Sequence, residues 1–567
     1  MRFGWALVLT MVFAAVPNST SNAAEAAGPK QGLARVVIKD ATDLARIDAA
    51  GVPVFARVRC EEGMALITGT GPAGAGALEV YGLHAEILDA DIEGKTYYEC
   101  LLFPNTPLPD WDAYGEVLYR EDGRAILSMS PQEAGRLAEA GVELRAIMTD
   151  AKPLPELGDA GLALLSVTYD PDVQDMIDAV ESLTVYTYTG DLSGEWPVSI
   201  GGSPYTIATR NTYSGTPITK ATDFVGEHLQ GLGLPVEYHV WDGSGYPNVI
   251  AEIPGEVSPD SIVIICAHLD DMPNSETAPG ADDNASGSVA VLIAADVLSQ
   301  YTWRYTLRFA LWTGEEQGLY GSYYYARRSY LAGEEILAVL NLDMIAYNTQ
   351  ATQKDIDLHA DESGTPGSMD LAQLFVDVVD AYNIDLVPDI WANGLTASDH
   401  SSFWDYNYTA ILAIEDWDDF TPYYHTQSDL LQTLDMDFYV DFVKASVATF
   451  AHIGVVYDDL SGVDDIAGDG GSAKGMTMLH PGRPNPAGSA TVIRYDIASP
   501  ATANLTVYDS RGRVVRTLVD RHHAAGTYEA TWNGENESGE RTPPGVYFLS
   551  LRAGAGASLT RKVVLVR

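Results

Sequence analysis

The sequence predicts an α/β protein in three parts. A three-layer domain with a mostly parallel central sheet follows a small α+β ferredoxin-like domain and precedes a β-sandwich. Three observations carry this reading. The runs "SIVIICAHL", "YTLRFALWTG" and "ILAVLNLDMI" are apolar on both faces of a strand, with helical segments between many of the strands, as in a parallel sheet covered on both sides. Residues 34–150 alternate short strands with short helices. The C-terminal segment holds only short alternating strands. With 567 residues the chain is too long for one core.

The elements follow in order. Residues 1–23, "MRFGWALVLTMVFAAVPNSTSNA", combine Arg2, a short apolar run and small residues near Ala23. That pattern predicts a secretory signal peptide and an extracellular or cell-surface location, reached through a periplasm where there is one. The N-terminal domain, 30–150, begins "ARVVIKD", "TDLARIDAAG", "VPVFARVRC", "MALITGT", "AGAGALEVYG", "LHAEILDAD", which reads β-α-β-β-α-β. "EEGMALITGTGPAGAGALEVYGLHAEI" resembles "EDGRAILSMSPQEAGRLAEAGVELRAI" in pattern. This is either an internal repeat or the likeness of any two small α/β units. A prodomain or accessory domain is the expectation here. Residues 165–457 form the three-layer domain, closing on a long helix near "MDFYVDFVKASVATFAHIGVVY". A glycine-rich linker, 458–474, leads to the sandwich at 475–567.

Lys and Arg number 33 against 79 Asp and Glu, a formal charge of -46. Such a field repels phosphate backbones and anionic lipid, which argues against nucleic-acid and membrane-surface partners. Of the three cysteines, Cys266 lies inside an apolar strand, while Cys60 and Cys100 are open to pairing or not.

The chemistry gathers at strand ends. His268 ends one strand, Glu315 and Glu316 follow another, and Asp343 follows a third. His425 comes later, in "YYHTQSDL". Ligands of open α/β sheets bind beyond the carboxyl ends of the strands. The stretch "APGADDNASG" places two aspartates in a glycine-framed loop before a buried helix, where Asn284 or Ser286 could instead serve as a helix cap. Two histidines, three carboxylates and a spare glutamate suit two divalent ions and a proton acceptor.

"AHLD", "APGADDNASG", "GEEQGLYGS", "NLDM", "SDHSSFW" and "YYHTQSDL" occur in an order that resembles the co-catalytic di-zinc aminopeptidase family. That family includes secreted bacterial leucine-type aminopeptidases, glutamate carboxypeptidases and single-zinc glutaminyl cyclases. The resemblance covers about residues 200–457. It implies a secreted exopeptidase that removes N-terminal residues from peptides with two Zn2+ ions. His268 and Asp343 would hold one zinc, Glu316 and His425 the other. Asp282 would bridge them, with a cis peptide at Asp282–Asp283. Glu315 would activate the bridging water, and Asp270 would orient His268. Tyr424, directly before the last histidine, would polarise the oxyanion. Met344, Trp417, Phe420 and Tyr423 would line the side-chain pocket. The cysteine pair and tyrosine that some members carry before "SDH" are absent, and Leu395 stands in the tyrosine's place.

Two other readings compete. A carboxypeptidase of the same family would need a cation such as Arg210, Arg327 or Arg328 for the substrate carboxylate. A non-catalytic binding protein on a peptidase scaffold would be expected to have lost ligands, and none is lost; a glutaminyl cyclase would use one zinc, whereas the two-metal set is complete. The C-terminal segment, with "LTVYDSRGRVVRTLVD" and "PPGVYFLSLRAG", resembles the Ig-like domain of flagellar hook-capping proteins and the sorting domains of type IX secretion. It implies contact with a cell surface or with secretion machinery, or a passive spacer.

Overall fold

A computed structural model describes residues 31–156, 167–455 and 478–566, apart from short interruptions. The expected signal peptide and the expected linker lie outside the described residues.

The N-terminal region holds two units of one design. The first runs β1 (Leu33–Ile38), α1 (Ala41–Ala50), β2 (Val54–Cys60), β3 (Gly63–Thr68), α2 (Pro72–Val80), β4 (Glu86–Asp89). Its sheet order is β2-β3-β1-β4, the antiparallel order of a ferredoxin-like fold. Asp40 starts α1 by accepting from the backbone N–H groups of Thr42 and Asp43. Gly51 ends it in the left-handed conformation. The second unit runs β5 (Tyr97–Leu102), β6 (Glu116–Glu121), β7 (Arg124–Ser128), α3 (Pro131–Ala138), β8 (Val142–Ala146). Its order, β6-β7-β5-β8, repeats the first. The two similar stretches of sequence are therefore a structural repeat: β3-α2-β4 matches β7-α3-β8. The second unit differs in its first connection. Where the first has α1, the second has a loop with one 3-10 turn at Trp111–Ala113. Cys100 is a buried free thiol, so it is not bridged to Cys60.

The central domain opens with α4 (Pro171–Asp178), α5 (Ser182–Leu192) and a small hairpin of β9 (Val198–Ile200) and β10 (Ser203–Tyr205). Next come α6 (Thr216–Gly231), β11 (Val236–His239), β12 (Asn248–Ile253), β13 (Ser258–His268) and α7 (Gly287–Leu298). After these come β14 (Tyr305–Trp312), α8 (Tyr320–Ala332), β15 (Glu335–Leu342), β16 (Asp355–His359), α9 (Ser368–Tyr382), β17 (Val387–Trp391), α10 (His400–Trp404), β18 (Ala410–Glu415) and α11 (Met436–Gly454). The eight strands form one sheet in the order β11-β12-β14-β13-β15-β18-β16-β17. The central four, β14-β13-β15-β18, are parallel, while antiparallel pairings join β11 to β12, β12 to β14 and β16 to β18, and β16 pairs parallel with β17. The sheet is therefore mixed, with a parallel centre. Helices cover both faces. The larger core packs α7, α9 and α11 against one face, and Trp312, Tyr325 and Phe403 fill the other. Burial on both faces explains the uninterrupted apolar runs.

Among the described residues the C-terminal domain shows seven strands: β19 (Met478–Arg483), β20 (Thr491–Ile497), β21 (Ala501–Asp509), β22 (Val514–His523), β23 (Gly526–Trp532), β24 (Gly545–Ala553) and β25 (Leu559–Leu565). They form two sheets, β19-β20-β23 and β22-β21-β24-β25. Ile493, Tyr495, Leu505, Val507, Trp532 and Leu549 are buried between them. No described helix is long and apolar enough to cross a membrane.

Candidate metal centre

Three parallel strands end at one edge and set the site. β13 ends on His268, β14 leads into Glu315 and Glu316, and β15 leads into Asp343. His268 Nδ1–H donates to its neighbour's backbone, the Asp270 carbonyl, at 3.1 Å. Its Nε2 then faces Asp343 Oδ1 at 3.1 Å and Asp283 Oδ1 at 3.3 Å. His425 Nδ1–H donates to the Ala138 carbonyl at 2.9 Å. Its Nε2 faces Glu316 Oε2 at 2.8 Å and Asp283 Oδ2 at 3.5 Å. In both rings the outer nitrogen is held by a carbonyl, which leaves the inner lone pair for a ligand.

These separations fit a metal pair. Ligand atoms about 2.0 Å from a tetrahedral zinc stand about 3.3 Å from one another. The groups His268–Glu315–Asp343 and His268–Asp283–Glu316 each bring their donor atoms within 4.8 Å. Glu316 Oε1, Glu316 Oε2 and Asp283 Oδ2 are buried without a hydrogen bond, a costly state that a cation would relieve. Burial opposes charge on both imidazoles. Yet Asp343 and Glu315 raise His268 well above its ordinary value, and Glu316 raises His425 to about 10. Burial, with Glu143 next, holds Glu315 well above the usual carboxyl range. Burial likewise holds Glu316 up. The site carries an excess of negative charge, the field a divalent cation answers.

Asp283, not Asp282, lies between the imidazoles, and the cis bond is Asp283–Asn284 rather than Asp282–Asp283. Asp429 explains the assignment. Its carboxylate accepts the backbone N–H groups of both aspartates at 2.9–3.1 Å, which fixes the turn. Asp282 then points away, accepting the Ala346 N–H at 3.0 Å. Burial, with Asp282 next, holds the neighbouring Glu415 well above the usual carboxyl range. Gly280 has φ 47, and a Cβ there would meet the Asp283 carbonyl at 2.4 Å, so the loop needs glycine. The cap of α7 falls to Asn284, whose Oδ1 accepts the Gly287 N–H at 2.8 Å.

Residues 248–449 match the profile of peptidase family M28. The central domain is an M28 peptidase domain. Residues 485–557 match the FlgD Ig-like domain. Over 219 residues the chain is 32% identical to a probable leucine aminopeptidase of Trichophyton verrucosum, which covers 37% of this chain and 57% of that protein. A probable leucine aminopeptidase 1 of the same organism is 31% identical over 248 residues, covering 42% and 65%. The chain thus spans 57% of the length of the first of these relatives. The Legionella pneumophila LapA aminopeptidase structure superposes with a TM-score of 0.50 at 17% identity, covering 64% of this chain and 99% of that one. The LapB structure from that organism gives 0.51 at 17% identity, covering 63% and 100%. These two likenesses concern the fold.

Around the M28 metal centre, Asp270 holds His268 through its carbonyl. Its carboxylate lies 3.9 Å from the ring and accepts from Thr212 Oγ1 at 2.8 Å. Asp270 thus bears on the ring through its backbone carbonyl rather than its carboxylate. Asp343 accepts from Ser398 Oγ at 2.7 Å, and Ser398 accepts from Asn341 Nδ2 at 2.8 Å. Ser398 and Asp429 both lie in motifs noted in the sequence, but serine and aspartate in loops carry no signal of their own. Met344 and His425 have φ of 51 and 54, a left-handed backbone that residues with side chains rarely adopt.

Met344, Phe420, Trp417 and Tyr424 gather in one apolar cluster together with Leu101 and Phe103 of the N-terminal region. Tyr423 is elsewhere, edge-on to the Tyr347 ring at 6.2 Å. Tyr424 Oη donates to Glu143 Oε2 at 2.8 Å, and burial, with Glu143 next, holds its phenol well above the ordinary range. The candidate carboxylate-binding cations are all engaged. Arg210 is fully buried and donates to the carbonyls of Leu192, Leu269, Pro279 and Gly280. Arg327 pairs with Asp150 at 3.0 Å, and Arg328 pairs with Glu237.

Proposed function

We propose that the chain is a secreted aminopeptidase that uses two zinc ions. The observation that supports it best is the pair of imidazole Nε2 atoms directed at opposite oxygens of Asp283. In this reading His268 and Asp343 would hold one ion and His425 and Glu316 the other, with Asp283 shared between the two. When bound, the zinc pair polarises the scissile carbonyl and acidifies a water. Glu315 takes the proton of that attacking water and delivers it to the departing amine. The Tyr424 hydroxyl, once released from Glu143, donates to the developing oxyanion. Met344, Trp417 and Phe420 hold the side chain of the N-terminal residue. The engaged state of Arg210, Arg327 and Arg328 favours this over carboxypeptidase action. The C-terminal domain, in the same proposal, meets a cell surface or secretion machinery.

Metal analysis with peptide hydrolysis tests this reading. The expected result is two zinc ions per chain, with leucine p-nitroanilide hydrolysed and N-acetyl-leucine p-nitroanilide untouched. A phenanthroline-treated sample should lose the activity and regain it with zinc. One zinc at full activity would reject the bridging role of Asp283.

A further inference from the structure

The N-terminal region does not merely sit beside the M28 domain. Phe103, in the loop that replaces a helix of the second unit, packs among the rings of Trp417, Phe420 and Tyr424 at 5.5, 5.2 and 5.2 Å. It shares their apolar cluster with Met344. Met344, Trp417 and Phe420 are assigned to the side-chain pocket and Tyr424 to the oxyanion, and Phe103 is only 6% exposed among them. From β8 of the same unit, Glu143 brings its carboxylate to Tyr424. Its second oxygen, Oε1, is buried without a hydrogen-bond partner, and its charge acts on Glu315 and His425. Glu315 is 2% exposed, Met344 1% and Phe420 4%. Little of their surface is left to solvent in this form.

We propose that the second N-terminal unit occupies the catalytic site as an internal ligand: Phe103 takes the place of a substrate side chain, and Glu143 takes the place of a carboxylate at the metals. The enzyme in this form is latent. It opens when the Phe103 loop and the Glu143 carboxylate move aside while Ala138 stays on His425, and the occupant reports a pocket made for a large apolar residue. The placement is held by more than two side chains. The buried Arg145 pairs with Asp405 of the M28 domain at 2.8 Å and with Glu99 at 3.3 Å. The Ala146 N–H donates to the Gly318 carbonyl at 3.2 Å, close to Glu315 and Glu316 in sequence. A competing role for Glu143, holding the ammonium of the substrate, would leave Phe103 no reason to fill the pocket.

The occupancy rests on the proposed zinc aminopeptidase reading, so its test must separate the two. Truncation is unsuitable, because it also removes the Ala138 carbonyl from His425. Full-length zinc-loaded wild type, Glu143→Gln and Phe103→Ala should be compared, with circular dichroism confirming the fold. Calorimetry with leucine hydroxamate reads access to the site without turnover, and leucine p-nitroanilide reads turnover. The expected result is unchanged zinc content in both variants, with hydroxamate affinity and kcat/KM raised about tenfold or more as the open form gains population. Affinity and turnover left unchanged, or both lowered, would overturn the occupancy. Tighter hydroxamate binding with no hydrolysis by any form would uphold the occupancy and remove the aminopeptidase reading. Full hydrolysis by wild type that neither variant increases would do the reverse.

Discussion

The two N-terminal units share a strand order but not a task. The first keeps α1 between its first two strands, and α1 packs on its own sheet through Leu44 and Ile47. The second gives up that helix, and the freed loop carries Phe103 into the M28 domain. The first unit touches the M28 domain at its flank, where Arg57 donates to the Gly364 carbonyl and Arg59 pairs with Asp361. The second touches it at the candidate metal site, through Ala138 on His425 and through Glu143 and Phe103 on Tyr424. A repeated fold can thus keep one copy as an anchor while the other meets the site. Loss of one helix is the visible change.

The comparison assumes that the edge covered by the second unit is the catalytic one, and the largest predicted effect tests that. Glu315→Gln should retain zinc and lower turnover by about 100-fold or more, the usual worth of a general base. Glu316→Gln should lose zinc instead. A Glu315→Gln enzyme with wild-type turnover would mean that the second unit covers a different kind of site. Asp283→Asn against Asp282→Asn comes next. The first should release metal on dialysis; the second should hold it, since Asp282 faces Ala346 and Glu415. The reverse order would restore Asp282 as the bridge.

The sequence made most of this legible, and the exceptions have a common cause. Strand ends are written in apolar runs, so His268, Glu315, Glu316 and Asp343 could be placed at one edge before any coordinates. Which of two adjacent aspartates turns inward is decided by Asp429, 146 residues away, and no local pattern records it. Tyr423, next to Tyr424, meets Tyr347 and lies outside the cluster around Phe103, a placement no local pattern records either. The covering of the pocket by Phe103 depends on docking between domains, which hydrophobic periodicity does not encode. The mixed pairing of the sheet edges was also hidden, because an edge strand reads alike in either direction.

Stability separates the two units by a smaller amount. Arg145 of the second unit is buried between Glu99 and Asp405. Arg145→Ala would leave two buried carboxylates uncompensated, a loss of about 3–5 kcal/mol. Arg46 of the first unit pairs with Asp43 on the surface, 44% exposed, and Arg46→Ala should cost at most about 1 kcal/mol. Urea unfolding of the full chain would read both. Equal losses would show that the second unit is no more tightly tied to the M28 domain than a surface pair.

The smallest effect concerns the outline of the pocket. Phe103 touches Trp417, Phe420 and Tyr424 but is not ring-paired with Tyr423, which meets Tyr347 instead. If Phe103 traces the place of a substrate side chain, the same division should govern binding. In the Glu143→Gln background, where the site is open, Phe420→Ala should lower kcat/KM for leucine p-nitroanilide about tenfold or more, the cost of thinning an apolar pocket. Tyr423→Ala should change it by less than about twofold, since the ring contributes no apolar area to that pocket. The contrast also needs a substrate that leaves the pocket empty. Glycine p-nitroanilide should be almost indifferent to Phe420→Ala, because it has no side chain to lose contact. A large effect of Tyr423→Ala on the leucine substrate alone would move the pocket to the Tyr347 side. Phe103 would then be packing next to the specificity site rather than inside it, and Glu143 would be left as the sole occupant of the catalytic edge.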